Sequence, residues 1–348
     1  MRFRLTLAAW GRWHVDQFVA NALPSLKAPG NLDAVDYVIS AHTRPADAER
    51  LRAALEGVNV ELGAPIADDT GGEQAVANGT IHGCADRDFR AAADAGEAWG
   101  MLAPDMVWSE GTFALYRRLL EAGNRAIFRP LLRVDADKAG TIREFGARHL
   151  AGLALDCEHA MGQLYRADAE RFTTHAEAII WPAPDGRVHQ TISADIVLCV
   201  PSETAITAHG LAEDGWGRMA AVVDSDESVA LAMTPADKEY EWQEGSAPLS
   251  PALVRDFLTR YPSGAGRGLA ARPYRLHAGD TDPSSWAEAE RRAAAFVGEV
   301  FDGMTATAPP VPPAPPPANR MLVQPARPTP PVLYDRVREG IMRGTLMR

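Results

Sequence analysis

The sequence predicts an α/β protein built on an open, mostly parallel sheet with covering helices. Three observations carry this. Apolar runs of strand length alternate with segments of helical period from the first residues onward. The turns between them are short and rich in Pro and Gly. The 348 residues, 46% hydrophobic and 23% charged, have the composition of a chain that buries a sizeable core.

In chain order, residues 3–9 form an apolar strand, and 14–26 place Val15, Phe18, Val19, Ala22, Leu23 and Leu26 on one helical face. Ala28-Pro-Gly-Asn31 stops that helix. Residues 37–41, 45–55 and 58–62 then read as strand, helix and strand, completing a βαβαβ order with short loops. Further on, 86–100 is Ala-rich and helical, 106–108 is a short apolar run, 112–121 is helical and 125–134 is a strand. Residues 141–161 read as a helix. A hairpin is expected from 176–181 and 187–192, because Pro182-Ala-Pro-Asp-Gly186 ends in a favoured turn dipeptide. Two more apolar runs, 220–223 and 229–233, flank Asp224-Ser-Asp-Glu227, and 285–301 forms the last helix of the body.

Beyond residue 305 the composition changes. Eleven of the 26 prolines lie between Pro309 and Pro331, a pattern that favours extended polyproline II. The expected organisation is one α/β body over 1–305, a Pro-rich linker over 306–332 and a short basic segment over 333–348. That last segment could dock a protein partner or remain an unstructured tail.

The formal charge is −11, unevenly placed: residues 309–348 carry a net of +4, which leaves −15 on the rest. So acidic a body argues against nucleic-acid binding, which needs clustered Lys and Arg. If its ligand is itself an anion, a metal ion or local arginines must reverse the field. Cys84, Cys157 and Cys199 are far apart with no CxxC spacing, which excludes a zinc knuckle and a disulfide scaffold and fits a reducing, cytoplasmic setting. No stretch approaches 18 apolar residues, so no membrane span is expected. The familiar Gly-rich phosphate loops, GxSxG and HExxH are absent.

Three segments could carry chemistry. In Ala103-Pro-Asp-Met-Val-Trp-Ser-Glu-Gly111, Asp105 and Glu110 bracket a short strand, and Ser109 and Gly111 open a helix suited to an anion. The alternative makes Ser109 a cap, Glu110 a dipole partner and Asp105 a turn residue. In Val222-Val-Asp-Ser-Asp-Glu227, Asp224 and Asp226 offer adjacent hard oxygen ligands for Mg²⁺ or Mn²⁺, or else form a polar turn. In Arg275–Trp286, His277 can ligate a metal or hold phosphate, and Gly279 permits close backbone approach; the alternative is an ordinary loop histidine.

Taken together, residues 5–26, the stretch Tyr37–Thr43 with Pro45 and Asp47, Leu102–Gly111 and Leu276–Trp286 resemble a nucleotide-diphosphosugar glycosyltransferase of the GT-A type. His277-Ala-Gly-Asp-Thr-Asp-Pro-Ser-Ser-Trp286 is similar to the His-x-x-Gly-x-x-Lys-Pro-Trp signature of glycogenin-like retaining enzymes, with altered spacing and no Lys. The chain also resembles a group of proteobacterial proteins sharing the opening of Leu23–Leu32, the centre Pro104-Asp-Met-Val-Trp-Ser109 and a late Asp-Ser-Asp. The GT-A resemblance implies transfer of a sugar from a nucleotide-diphosphosugar donor to an acceptor, assisted by a divalent cation, Mn or Mg. It implies nucleotide contacts at Trp10, Thr43 and Arg44, with Ser109 and Gly279 nearby. Asp105 and Glu110 are the expected catalytic carboxylates, and Asp224, Asp226 and His277 the expected metal ligands. The usual Asp-x-Asp of that family is absent at Asp105. A noncatalytic module binding a sugar, nucleotide or protein, and a hydrolase or pyrophosphorylase acting on activated sugars, are the competing readings.

Overall fold

The computed structural model describes residues 1–63, 65–66, 73–159, 178–191, 196–201, 206–207, 210–211, 219–236, 250–252, 255 and 273–302. The Pro-rich linker and the basic C-terminal segment lie outside the described residues.

Fifteen strands are described: β1 Arg2–Ala8, β2 Asp36–His42, β3 Val60–Leu62, β4 Ala98–Leu102, β5 Met106–Trp108, β6 Ala126–Phe128, β7 Leu132–Asp135, β8 Ala178–Ala183, β9 Gly186–Thr191, β10 Ile196–Cys199, β11 Ile206–Thr207, β12 Gly210–Leu211, β13 Met219–Ala221, β14 Ala230–Thr234 and β15 Pro273–Leu276. Eight α-helices accompany them: α1 Gly11–Gln17, α2 Leu23–Leu26, α3 Ala48–Ala54, α4 Glu73–Ala95, α5 Thr112–Glu121, α6 Ala136–Ala139, α7 Ala147–Asp156 and α8 Ala287–Phe301. A π-helical turn, Phe18–Ala22, joins α1 to α2.

The main sheet has the order β13-β6-β10-β4-β1-β2-β3. Strands β3, β2, β1 and β4 are mutually parallel, β10 is antiparallel to both β4 and β6, and β13 is parallel to β6. The open, mostly parallel sheet expected from the sequence is therefore present, with one reversed strand. Because β10 reverses twice, β6 and β13 run the same way as β1, and all their carboxyl ends share one edge. Three smaller sheets are described as well, β5-β14-β7, β15-β9-β8 and the two-stranded β11-β12.

The period of two decides what each face of β1 and β2 buries. Phe3, Leu5, Leu7, Ile39 and Ala41 are essentially inaccessible and pack with Val15, Phe18 and Leu26 and with Phe113 and Tyr116 of α5. The even-numbered face meets α4 through polar groups. Thr6, Ser40 and His42 converge on Asp88, while Arg4 pairs with Glu97 at 2.7 Å and Glu61 at 2.9 Å. A helix can cover a parallel sheet this way only if every buried polar group finds a partner.

Four boundaries differ from the sequence expectation. The helix expected over 86–100 begins at Glu73 and ends at Ala95, and residues 98–102 form the interior strand β4. Gly96, at φ 66°, turns the chain, and the alternation of Ala98, Gly100 and Leu102 then pairs with β1. The strand expected over 125–134 breaks into β6 and β7 at Arg129-Pro130, because Pro130 cannot donate to a ladder. Of the helix expected over 141–161, the described residues form α7; beyond it Glu158 bridges Val134 and His159 donates its backbone N–H to Arg133, while 160–161 lie outside the described residues. The helix over 285–301 starts at Ala287, after a 3₁₀ turn Pro283–Trp286 capped by Asp282.

The β8–β9 hairpin forms where expected, and α8 packs on it with Trp181 edge-on to Phe296 at 5.7 Å. Gly186 opens β9 against the end of β15: a Cβ there would stand 2.0 Å from the Leu276 carbonyl oxygen and 2.9 Å from the Trp286 ring. Backbone cannot yield as a flexible side chain does. Gly186→Ala is expected to lower stability by about 3 kcal/mol, the upper range for overpacking, as a lower urea midpoint.

Candidate functional site

The common carboxyl edge of the sheet collects most of the side chains singled out from the sequence. In parallel α/β sheets this edge is where loops present groups to a ligand on rigid supports. Trp10 follows β1 and stacks on His14 with ring centroids 5.2 Å apart. Gly11 donates its N–H to Asp47 Oδ2 at 2.8 Å, which ties the end of β1 to the loop after β2. Thr43 and Arg44 follow β2, and the buried Thr43 hydroxyl has no hydrogen-bond partner among the described residues. Asp105 lies in the turn between β4 and β5 and is partly exposed. Asp224 follows β13.

The carboxylate pair and the histidine meet because two distant stretches run side by side. After β13, the Arg275 N–H donates to the Val223 carbonyl and the Ser225 N–H to the Arg275 carbonyl, each at 2.9 Å, so residues 223–225 lie parallel to β15. The buried Ser225 hydroxyl then accepts the His277 N–H and donates to the His277 carbonyl, both at 3.0 Å. This locks Asp224 beside His277, with Nε2 2.8 Å from Oδ1. The Asp226 N–H donates to Asp224 Oδ1 at 2.9 Å, folding the second carboxylate back. One ligand atom from each of Asp224, Asp226 and His277 lies within 4.8 Å of the others.

The ring's orientation fits a ligand role. His277 Nδ1 stands 2.8 Å from the Gly279 carbonyl, which can only accept, so that nitrogen carries the proton. In the neutral ring Nε2 then presents its lone pair to the place the carboxylates face; in the protonated ring it is a second N–H, donated to Asp224. A carbonyl on the far nitrogen is the usual way a metal-ligating histidine is held. Trp286 packs against the ring at 5.6 Å, and His277 is 4% exposed.

Arg148, on α7, completes the surroundings. Its Nε and Nη2 reach Asp226 Oδ1 and Oδ2 at 3.1 and 3.2 Å, and Nη2 reaches Asp280 at 2.7 Å. Those hydrogen bonds and charges raise its pKa further, so the cation is permanent. No local motif marked this residue. The only signal for it was the acid excess at 224–227 and 280–282, which calls for a nearby arginine.

Asp105 and Glu110 are not part of this group. Glu110 is exposed, and its N–H donates to the Phe145 carbonyl. Ser109 is fully buried: its hydroxyl accepts the Val229 N–H at 3.0 Å and lies 3.0 Å from the Thr112 hydroxyl. Asn31 clasps the same turn, donating to the Ser25 and Ser109 carbonyls and accepting the Phe113 N–H. Gly279 is exposed, and its carbonyl is the part that touches the site.

No family model and no curated protein matches the chain. Solved structures similar to it include mouse xyloside xylosyltransferase 1 in its apo form, at 8% identity and a TM-score of 0.29, covering 37% of this chain and 53% of that one. Another is S. aureus TarS 1–349 in complex with UDP-GlcNAc, at 9% identity and 0.36, covering 87% and 73%. The chain thus spans about half the length of the xylosyltransferase. At such scores the likeness says nothing about the site. No helix among the described residues is long and apolar enough to cross a membrane.

Proposed function

We propose that the protein is a metal-assisted glycosyltransferase that takes a sugar from a nucleotide-diphosphosugar. The observation that carries this reading is the convergence of Asp224, Asp226 and His277 at the carboxyl edge of the sheet. Two carboxylate oxygens and one imidazole nitrogen form a mixed donor set, and the nitrogen suits Mn²⁺ better than Mg²⁺. A divalent ion held there supplies Lewis-acid stabilisation of the charge that develops on a departing diphosphate.

The chain's own residues supply the rest. Asp224 and His277 are fixed by the Ser225 clasp and need little reorganisation to bind. Arg148 orients Asp226 and adds a permanent positive charge beside an anionic donor. Trp10, Thr43 and Arg44 are the proposed nucleotide contacts, Trp10 offering a face for stacking and Thr43 a hydroxyl unpartnered among the described residues. Asp105 and Glu110 remain the proposed catalytic carboxylates, with Asp105 on the same strand-end edge. Residues 1–305 act as the catalytic body, and the Pro-rich segment as a tether.

Incubation with UDP-, GDP- and CMP-sugars plus Mn²⁺ should give slow donor hydrolysis with one nucleotide class, abolished by EDTA and by Asp224→Asn. Metal-dependent nucleotide binding without any turnover would favour the noncatalytic module. The absent Asp-x-Asp at Asp105 is the feature that keeps that second reading in play.

A further inference from the structure

Arg129 stands at the carboxyl end of β6, where Pro130 breaks the strand, and is 1% exposed. Among the described residues its Nε and Nη1 have no hydrogen-bond partner, and Nη2 reaches the Met106 sulfur, at 3.8 Å. Among the described residues no carboxylate pairs with it. Beside it, the hydroxyl of Tyr116 on α5 is buried against the Ser228 side chain, whose hydroxyl can donate to it and leave the phenol proton free. Two guanidinium donors therefore lack an acceptor among the described residues, a third donor is available on Tyr116, and the guanidinium is a full positive charge.

A lysine in this position could shed its proton, but a guanidinium cannot. A buried water would satisfy the donors and leave the charge unmet. Desolvating an ion without an opposite charge is among the largest penalties a fold can carry. We propose that Arg129 and Tyr116 form a site for a small monovalent inorganic anion, of which chloride is the simplest, enclosed as the protein folds. The near-complete burial of both residues argues for a small resident ion rather than an exchanging substrate. The site is independent of the glycosyl-transfer reading and stands or falls without it.

The full chain, exchanged into sodium gluconate, should be unfolded thermally in chloride–gluconate mixtures of constant ionic strength. The melting temperature should rise by about 3 °C and saturate as chloride replaces gluconate, as linkage to a folded-state site requires. Bromide should substitute for chloride. Arg129→Met should abolish the dependence. Tyr116→Phe, which keeps the ring, should shift the chloride midpoint upward by about threefold or more, the loss of one hydrogen bond. A wild-type melting temperature indifferent to chloride would overturn the proposal. So would equal chloride responses in wild type and Tyr116→Phe, or a chloride response that survives Arg129→Met.

Discussion

Asp88→Ala should lower the stability of the protein by about 3–5 kcal/mol at neutral pH, the cost of breaking a buried ion pair from one side. Asp88 accepts from Thr6 at 2.8 Å and Ser40 at 3.0 Å, and sits 3.0 Å from His42 Nε2. The His42 ring lies flat against Gly63, where an added Cβ would stand 2.0 Å from Cε1, so the imidazole cannot swing out to water. Burial pulls the His42 pKa down, but hydrogen bonds and charge from Asp88 and Cys84 outweigh it and hold the pKa at about 10. Burial likewise pushes Asp88 up, and His42, Thr6 and Ser40 together bring it below its ordinary value.

The sign of the pH dependence follows from those directions. His42 is raised in the folded state, so its contribution is complete below about pH 6.5 and is lost as pH climbs through about 10. Asp88 is lowered, so its contribution is present above its unfolded value and is lost as acid protonates it. The stability gap between wild type and Asp88→Ala should therefore narrow steadily from pH 6.5 to 10. Urea midpoints across that range measure it; a gap that stays constant or widens would mean that the imidazole is neutral in the fold.

Asp224→Asn carries the largest expected functional effect. One Asp224 oxygen contacts the His277 ring and receives the Asp226 N–H, so it is the hinge of the donor set. The amide preserves volume and that hydrogen bond but removes the negative charge a dication needs. Mn²⁺ affinity should fall by at least about 100-fold, the upper end of losses seen even for groups one shell out. Any metal-dependent donor turnover should fall with it, while the melting temperature of the metal-free protein stays nearly unchanged. Arg148→Ala should weaken Mn²⁺ binding less, because Asp226 keeps its carboxylate and loses only its orientation.

Much of the frame was legible in the sequence because burial writes period into it. β1, β2 and the β8–β9 hairpin lie at or near their expected bounds, since Phe3, Leu5 and Leu7 alternate cleanly and the Pro184-Asp185 turn falls inside the expected Pro182–Gly186 loop. β4 was hidden for the converse reason: Ala98, Trp99 and Gly100 follow an Ala-rich helix after Gly96-Glu97 alone, and it is pairing with β1 that makes the stretch a strand. Asp224, Asp226 and His277 could each be proposed locally. That they converge depends on residues 223–225 running beside β15, a non-local pairing with no signature in either segment. The Ser109 motif shows the opposite case. Its polar residues looked available, yet the fold spends them inside, on Asn31, Thr112 and Val229.

The acidic body also takes on physical meaning from this geometry. Its net of −15 outside the Pro-rich tail would repel the proposed anionic donor unless cations stand at the site. Arg148 is one, beside Asp226 and Asp280. A dication held by Asp224, Asp226 and His277 would be the other under the proposed function. Titration of Mn²⁺ into the full-length protein, followed by the loss of its free-ion paramagnetic resonance signal, tests this most directly. A single site that is absent in Asp224→Asn and in His277→Ala, and that tightens when a nucleoside diphosphate is added, is the expected result. A free-ion signal undiminished by the wild-type protein, with or without nucleotide, would contradict it.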